Sequence, residues 1–458
     1  MNMSNKSTNP KGTKDYGPSE LLSIRFIINK IRNVFISFGY SEIETPSIEK
    51  RATLYEKYGD EGDKFIFNII NSGEKVKKAD IESLSAGKLN QFVSSISEKG
   101  LRFDLTVPLA RFVAQHFNKI NFPFKRFQIQ KVWRSDRPQR GRFQEFTQCD
   151  VDAIGSDSLL LEYEMILIYS KVFRELGLKD VKIKINHRQI LNSIANKIGI
   201  SDSFNEFIVL IDKRDKIGSE KLRNLLRNDL NIEDSHIDYL FELFGYSGKF
   251  SDLINKITNE FSDALSIKAA EEINKIYEMM ETSDELVEIE FDLSLARGLN
   301  YYTGIIYEVV APDSNIGSLG GGGRYSDLTK SFGVDNLSGI GISFGLERIH
   351  LLMDEKNLFP ELKVLSNDIL IINFDINFIN EIKNIIDGLR AHGRNVFVYP
   401  DSAKVSKQFS FADKNNFNFV IIYGQAEKDG DNIKIRSMDN GEERLFKLKN
   451  FIQEFSKM

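Results

Sequence analysis

Residues 124–155 read FKRFQIQKVWRSDRPQRGRFQEFTQCDVDAIG, in which two alternating runs flank a polar loop that contains proline and glycine. Alternation with period two predicts a strand at 124–134 and another at 142–152, joined as a long hairpin. One polar face of this hairpin would carry Arg126, Gln128, Gln130, Arg134, Arg142, Gln144, Gln148, Asp150 and Asp152. Such a face suits an anionic ligand that also carries N–H groups. A solvated sheet face with cross-strand ion pairs is an equal alternative.

The composition is that of a globular protein with more than one domain. A chain of 458 residues is too long for one core, which predicts two or three domains. The net charge of −5 argues against a basic coat, although a local basic patch would be enough for a nucleic-acid partner. Cys149 is the single cysteine, so intrachain disulfides are excluded and a reducing, cytoplasmic location is expected. The polar N-terminus and the lack of an 18-residue apolar run predict neither a signal peptide nor a membrane span.

Before the hairpin, the pattern is mostly helical. Apolar spacing predicts a helix over 19–38, with Ser19 as its N-cap and Gly39 at its end. The Lys/Ser-rich run 71–100 is interpreted as a mobile insertion. Residues 101–117 predict a strand that runs into a helix capped by Thr106.

After the hairpin, three kinds of pattern follow. Residues 190–285 are helical in pattern and predict a helical insertion. Alternation returns at 287–295, and a strand followed by a helix is predicted over 338–353. From about 365 onward, strands and helices alternate, which predicts a small α/β domain with a largely parallel sheet.

Candidate ligand-binding residues lie near predicted helix starts. Asp104 and Thr106 share a face, and the carboxylate would either hold an amino group or simply favour the helix dipole. Arg348 falls in a first helical turn beside Gly345, which suits a phosphate but is equally typical of a solvated arginine. The glycine run 320–323 lacks Walker spacing and is either a close approach of backbone to ligand or a loop.

Other common catalytic sites have no sequence support. The five histidines are scattered without metal-ligand spacing, which argues against a zinc site built by the protein. No G-x-S-x-G motif is present, so a serine hydrolase is disfavoured.

The stretch SLARGLNYYTG at 294–304 raises a narrower question. Taken alone, Arg297 is a charge at a strand end, or it points into a pocket lined by aromatic rings. Tyr301 and Tyr302 point in opposite directions if the stretch is extended. Taken alone, both tyrosines are expected to belong to the core.

Together, these segments resemble the histidyl-tRNA synthetases, a family of class II aminoacyl-tRNA synthetases. FGYSEIETPSIEK (38–50) resembles class II motif 1, the hairpin 124–155 resembles motif 2, and GIGISFGLERI (339–349) resembles motif 3. LARGLNYYTG (295–304) resembles a motif specific to the histidine enzymes, and the segment from Ala403 to Gly424 resembles their anticodon-binding domain. The resemblance runs in collinear order over nearly the whole chain.

The resemblance implies an α+β fold: an antiparallel-sheet catalytic domain with a helical insertion, followed by a C-terminal α/β anticodon-binding domain. The implied domains are a first catalytic part at 1–190, an insertion at 191–285, a second catalytic part at 286–362 and an anticodon-binding domain at 366–458. It implies a cytoplasmic homodimer with no membrane association. Its substrates would be ATP, histidine and tRNA(His), with Mg²⁺ present and no dedicated metal ligands from the protein.

The resemblance also implies a role for particular residues. Arg134 and Arg297 would meet the α-phosphate of ATP, and Arg142 and Arg348 would hold the β- and γ-phosphates. Arg137 and Gln139 would contact the acceptor end of the tRNA. The residues implied for binding histidine are Asp104, Thr106 and Gln148 at the α-amino group, Asp152 and Tyr302 at the imidazole, Tyr325 as a further lining residue of the same pocket, and Arg297. Tyr301 would point the other way along the strand and remain in the core.

One departure and one rival interpretation accompany the resemblance. Asn300 replaces an aspartate that is usual in the family, which puts a charged role for that side chain in doubt. The rival is a non-catalytic, synthetase-like regulatory subunit of histidine biosynthesis. Such proteins usually lose the phosphate-binding arginines and the C-terminal domain, whereas both are present here.

Overall fold

The computed structural model describes residues 8–55, 65–246, 250–283, 285–298, 301–326, 328–362 and 367–455. The chain forms two compact units, Met1–Pro360 and Glu361–Met458. This division lies close to the predicted start of the last domain at 366. The predicted boundaries at 190 and 285 lie within the first unit and remain predictions.

Two sheets organise the first unit. Its strands are β1 (Ser41–Glu42), β2 (Ile48–Lys50), β3 (Asn68–Ile69), β4 (Lys99–Leu101), β5 (Phe124–Trp133), β6 (Glu145–Ile154), β7 (Lys182–His187), β8 (Glu288–Phe291), β9 (Tyr302–Val310), β10 (Gly320–Tyr325) and β11 (Gly339–Gly345). The large sheet has the order β1–β5–β6–β11–β10–β9–β7–β8, and the small sheet has the order β2–β4–β3. Neighbours in the large sheet are antiparallel except in the pairs β1/β5 and β7/β8. This is the expected antiparallel catalytic sheet.

Helices surround the large sheet and fill the region between β7 and β8. They are α1 (Pro18–Ser37), α2 (Ile81–Ser85), α3 (Leu89–Ile96), α4 (Thr106–Gln115), α5 (Leu160–Glu175), α6 (Arg188–Lys197), α7 (Phe204–Ile211), α8 (Arg214–Ile217), α9 (Ser219–Asp229), α10 (Asp234–Phe244), α11 (Phe250–Glu260), α12 (Ala264–Glu281) and α13 (Leu346–Glu355). Residues 51–55 are also helical, and short 3₁₀ helices occur at Gly73–Lys78, Phe117–Lys119, Ser201–Ser203 and Lys330–Phe332. The helical pattern predicted over 190–285 is confirmed.

The predicted hairpin is confirmed and forms the middle of the large sheet. Its register pairs Arg126 with Asp152 and Gln128 with Asp150, so the polar side chains of both strands share one face. The other face is apolar and packs beneath α1 and α5, where the rings of Phe35 and Phe127 are 5.4 Å apart. Burial of each such large side chain stabilises the fold by about 1.5–3 kcal/mol, which fixes the apolar face inward. The polar face is thereby directed to the opposite side of the sheet.

The glycine run at 320–323 forms strand β10 in the interior of the sheet. Every residue of this strand is buried. A side chain at Gly322 would overlap the backbone of Gly341, and one at Gly323 would overlap the carbonyl of Ile305. The run is therefore a strand, and the loop alternative is wrong because close backbone packing excludes larger residues here.

Two predicted helix caps are wrong. Helix α1 begins at Pro18 with Gly17 at its N-cap, so Ser19 lies inside the first turn. Helix α4 has Leu105 at its N-cap, and the backbone N–H groups of Thr106 and Val107 donate to Asp104 Oδ1, at 3.0 and 3.1 Å. The carboxylate of Asp104 accepts these bonds better than the Thr106 hydroxyl could because it is charged and reaches both groups.

The segment 71–100, interpreted as a mobile insertion, contains regular secondary structure; its mobility remains a prediction. The segment contains α2 and α3, and β4 at its end joins both other strands of the small sheet. Asp80 caps α2 by accepting from the backbone N–H of Ser83 at 2.9 Å. Helices this short give too few residues for a periodic pattern, and their polar surfaces hide them in the sequence.

The second unit is an α/β fold with its own core. Its strands are β12 (Ile369–Ile371), β13 (Val396–Val398), β14 (Phe419–Ile422), β15 (Asn432–Ser437) and β16 (Glu443–Lys447), and its helices are α14 (Ile376–Glu381), α15 (Lys383–Ala391), α16 (Val405–Lys414), α17 (Gln425–Asp429) and α18 (Phe451–Phe455), with a 3₁₀ helix at Leu448–Asn450. The sheet order is β13–β12–β14–β15–β16. The first three strands in this order are parallel, and β15 and β16 continue the sheet as an antiparallel hairpin.

Candidate active site

A cavity of about 900 Å³ opens on the polar face of the large sheet. The sheet floor, the loop between β5 and β6, the segment 292–298 and residues 211–214 of the helical region all line it. The predicted site residues that line this pocket are Asp104, Thr106, Arg134, Gln139, Arg142, Gln148, Asp152, Arg297, Tyr302, Tyr325 and Arg348. Arg137 is exposed and does not line it. Residues separated by more than 240 positions thus meet in one pocket.

Three arginines converge at one end of the pocket. Arg134 donates from Nε to the carbonyl of Phe103 at 3.1 Å, and Arg142 pairs with Asp136 at 2.8 Å. Arg348, in the first turn of α13, donates to the carbonyls of Gly141 and Ser318 at 3.0 and 2.7 Å.

These arginines repel one another. Burial, followed by the charges of Arg142 and Arg134, lowers the pKa of the Arg348 guanidinium. Uncompensated positive charge at a helix N-terminus is suited to a polyanion. This end of the pocket therefore fits phosphate groups.

Arg297 faces the pocket from the irregular segment that follows β8. Its guanidinium lies over Gly321, where a side chain on that residue would overlap it. Its Nη1 is 3.7 Å from Oε1 of Glu308 on β9. The stretch 294–298 therefore directs Arg297 inward, and a strand-end surface charge is excluded.

The opposite end of the pocket is carboxylate-rich and deeply buried. Asp152 pairs with Arg126 at 2.7 Å and accepts a hydrogen bond of 2.8 Å from the Tyr325 hydroxyl. Burial raises the pKa of Asp152, while Arg126 and Tyr325 oppose that rise. Gly341 leaves room for this carboxylate, because a side chain there would overlap it. Asp152 is thus fixed in orientation on the pocket floor.

The residues predicted for the α-amino group of histidine also line this pocket. Asp104 is buried and oriented by its cap bonds to α4, and Gln148 Nε2 donates to Ser343 Oγ at 3.0 Å. Tyr302 is buried, and its ring lies 4.7 Å from that of Tyr301. Tyr301 packs against the hydrophobic core, as expected, but it also lines the pocket and so does not point away from it. Asn300 lies outside the described residues.

Several residues in or beside the pocket were given no individual role from the sequence. Arg126 is fully buried beside Asp152, and Asp150 lies between Gln148 and Asp152 on the same face. Glu347 accepts from the backbone N–H of Thr147 at 2.8 Å, and burial raises its pKa to about 7. The alternating pattern of the hairpin held the signal for Arg126 and Asp150. Nothing in the sequence placed the helical residues 211–214 at the pocket.

The described residues contain neither a cluster of metal ligands nor a membrane-spanning helix. No three His, Cys, Asp or Glu side chains among them are grouped so as to hold a metal ion. No helix within the described ranges is long and apolar enough to cross a membrane.

Comparisons with known proteins identify the family. A family model described as histidyl-tRNA synthetase matches residues 79–349, more than half of the chain, and one described as an anticodon binding domain matches residues 368–458. Histidine–tRNA ligase from Christiangramia forsetii is 45% identical over 445 residues, covering 96% of this chain and 97% of the relative. The same ligase from Flavobacterium johnsoniae is 44% identical over 462 residues, covering 96% and 97%. The crystal structure of histidyl-tRNA synthetase from Nostoc sp. PCC 7120 superposes with a TM-score of 0.76 at 25% identity over 99% of both chains. The chain belongs to the histidyl-tRNA synthetase family.

Proposed function

We propose that the chain is a histidine–tRNA ligase, which activates histidine with ATP and transfers it to the 3′ end of tRNA(His). The observation that carries the proposal is one pocket with converging arginines at one end and oriented, buried carboxylates at the other. Family membership supports the same activity. A polyanionic nucleotide and a cationic amino acid are the two ligands that these opposite ends would attract.

In the first step, a carboxylate oxygen of histidine attacks the α-phosphorus of ATP, and pyrophosphate leaves as the histidyl-adenylate forms. Negative charge grows on the pentacoordinate phosphorus, so placed cations accelerate the step more than acid–base groups would. Arg134 and Arg297 would grip the α-phosphate from opposite walls, and Arg297 would also align the attacking carboxylate. Arg142 and Arg348 would hold the departing β- and γ-phosphates.

Histidine would lie with its α-ammonium toward Asp104, Thr106 and Gln148. Its imidazole would extend toward Asp152, with Tyr302 and Tyr325 beside it. A buried carboxylate and hydroxyl discriminate strongly, because a side chain without matching N–H groups would leave them unpaired. Arg126 would hold the Asp152 carboxylate in its acceptor role.

In the second step, a ribose hydroxyl of the terminal adenosine attacks the carbonyl carbon of the adenylate, and AMP leaves. Gln139 at the pocket rim and Arg137 on the exposed part of the same loop would contact the acceptor end of the tRNA. The second unit would bind the anticodon through single-stranded bases.

Mg²⁺ usually binds through one or two carboxylates together with substrate phosphates, not through a protein cage. Glu308 and Glu347 line the pocket near the arginines and are the carboxylates that would hold the ion. When bound, Mg²⁺ would neutralise charge on the β- and γ-phosphates. A cytoplasmic homodimer belongs to the same proposal, because motif 1 in the family contributes to a dimer.

The regulatory-subunit alternative has less support. Arg134, Arg142, Arg297 and Arg348 all line the pocket, and the anticodon-binding unit is present. Full-length relatives at 45% and 44% identity are named as ligases. No feature of the pocket favours a purely regulatory role.

Histidine-dependent exchange of pyrophosphate into ATP tests the proposal. The intact protein is expected to exchange with histidine and with none of the other nineteen amino acids. Activity with no amino acid would reject the ligase and favour a regulatory subunit.

Arg297→Ala is expected to lower kcat for exchange by about 100- to 1000-fold, since it removes one charge-stabilising group from the transition state. Arg227→Ala is the control, because Arg227 is an exposed residue of the helical region paired with Asp234. Near-normal exchange by Arg297→Ala would show that Arg297 does not act at the reaction centre.

A further inference from the structure

Asp150 occupies the centre of the pocket floor and has no role in the mechanism above. It lies on β6 between Gln148 and Asp152, with its side chain on the same face as theirs. The residue is 3% exposed, yet it lines the pocket. A buried carboxylate is costly unless hydrogen bonds or opposite charges compensate it.

Only some of the polar atoms around Asp150 have hydrogen-bond partners. The Ser343 hydroxyl accepts from Gln148 Nε2 and in turn bonds to the Asp150 carboxylate. Within the described ranges, Asp150 Oδ1 and Gln148 Oε1 have no hydrogen-bond partner. Ser343 therefore bonds to Gln148 Nε2 and to the Asp150 carboxylate. Gln148 Oε1 and Asp150 Oδ1 are left as two neighbouring buried acceptors in the pocket.

Negative charge also exceeds positive charge around Asp150. Arg126 is the nearby cation, and it is paired with Asp152 at 2.7 Å. Asp104 adds a further carboxylate to the same end of the pocket. Burial, with help from Asp152 and Asp104, raises the pKa of Asp150 to about 7, although Arg126 opposes the rise. A ligand that brings positive charge and at least two N–H donors would complete this site.

We propose that Asp150 is a further histidine-binding residue, whose carboxylate accepts from the substrate α-ammonium together with Gln148 Oε1. This inference rests on the proposed function and adds a charged contact to the α-amino subsite. An ammonium group fits because it carries three donors and one positive charge, and both acceptors are supplied from neighbouring positions of one strand. Binding is also linked to ionisation, since only the charged carboxylate attracts the ammonium fully.

The raised pKa of Asp150 determines how ligand affinity changes with pH. A raised pKa in the free pocket means that Asp150 is ionised above pH 7 and largely neutral at pH 6. Ligands with an α-ammonium should therefore bind more weakly as pH falls through 7. The charged or titratable groups that interact with Asp150 are Asp104, Arg126, Asp152, Tyr169 and Tyr302, together with Arg102 and the neighbouring Cys149 thiol.

Equilibrium binding of three ligands to the full chain tests the proposal. Histidine and histidinol carry the α-ammonium, whereas 3-(imidazol-4-yl)propionate lacks it but keeps the imidazole. Asp150→Asn is expected to raise Kd for histidine and histidinol by about 10- to 100-fold, which is the range for a lost charged hydrogen bond. Binding of the propionate should change by less than about twofold.

The outcomes separate the possible roles. Equal weakening of all three ligands would place Asp150 at the imidazole and overturn the proposal, as would unchanged binding of histidinol. Asp368→Asn, in the second unit and paired with Arg394, is the matched control for an aspartate-to-asparagine change. Binding is measured without ATP, so failure of the wild-type protein to exchange pyrophosphate would reject the ligase function separately.

The wild-type protein supplies a second test if Asp150→Asn does not fold. Between pH 8 and pH 6, Kd for histidinol should rise by about 10-fold more than Kd for the propionate, because the fraction of ionised Asp150 falls by that factor. The imidazole pKa differs between the two ligands, because one carries an ammonium group and the other a carboxylate. The imidazole titration of each free ligand is therefore measured by NMR and divided out before the two profiles are compared. Parallel pH profiles for the two ligands would overturn the proposal.

Discussion

At the scale of single residues, the pocket depends on pairs in which a glycine makes room for a charged side chain. Gly321 provides the space for the Arg297 guanidinium, and Gly341 provides the space for the Asp152 carboxylate. Because protein interiors are densely packed, even one added methyl group at such a position must displace its neighbour. Both glycines line the pocket and leave the room that the charged side chains beside them occupy.

Gly341→Ala tests this dependence. The added methyl group would overlap the Asp152 carboxylate, so we expect a loss of about 1–3 kcal/mol in the free energy of unfolding. We also expect KM for histidine to rise by at least about 10-fold, while KM for ATP stays nearly unchanged. Denaturant unfolding and pyrophosphate-exchange kinetics would measure both effects.

Gly17→Ala is the control, since a methyl group there meets no heavy atom within 4 Å. If Gly341→Ala kept the wild-type KM for histidine, the carboxylate of Asp152 would not need its observed position. Its proposed contact with the imidazole would then be wrong.

At the scale of elements, the start of helix α4 combines a structural and a binding role in one carboxylate. Asp104 Oδ1 accepts from the N–H groups of Thr106 and Val107, which caps the helix. The same residue lines the predicted α-amino subsite. Ligand and helix therefore share one side chain, and the two roles can be separated because asparagine caps helices as well as aspartate does.

Asp104→Ala and Asp104→Asn should therefore differ in stability and agree in binding. Alanine removes the cap, at an expected cost of about 1 kcal/mol in the free energy of unfolding, whereas asparagine retains most of that energy. Both changes remove the negative charge, so Kd for histidine should rise by about 10-fold or more in each. Thermal unfolding and equilibrium binding are the measurements. Wild-type affinity in Asp104→Asn would contradict the binding role.

At the scale of the whole molecule, the chain contains two units with separate cores. The first unit carries the complete pocket, and the second packs its own apolar side chains around β12 and β14. Chemistry and anticodon binding are thus assigned to different units. Activation of histidine should need only the first.

A chain truncated after Pro360 should retain most of the histidine-dependent pyrophosphate exchange. Its kcat/KM for aminoacylation of tRNA(His) should fall by about 100-fold or more, because the contacts of the second unit with tRNA are lost. Assays of both reactions on the same preparation give the comparison. Equal loss of exchange and aminoacylation would show that the first unit does not function alone.

The sequence predicted most of the fold because the main elements carry strong local patterns. Period-two alternation predicted β5 and β6, and helical spacing predicted the region between β7 and β8. The sequence patterns did not predict the short helices within 71–100 or the capping role of Asp104. Short elements bury little and repeat no pattern, and a cap depends on which of several polar atoms actually reaches the backbone.

By itself, the sequence determined the family, the order of the elements and the residue types that an adenylating site for histidine would need. Only the tertiary structure decided that Arg297 faces inward, that Arg126 holds Asp152, and that Asp150 and Gln148 leave acceptors open in the pocket. Local alternation assigns a side chain to a face of a strand. Which charges meet across that face depends on the register of strands brought together from distant parts of the chain.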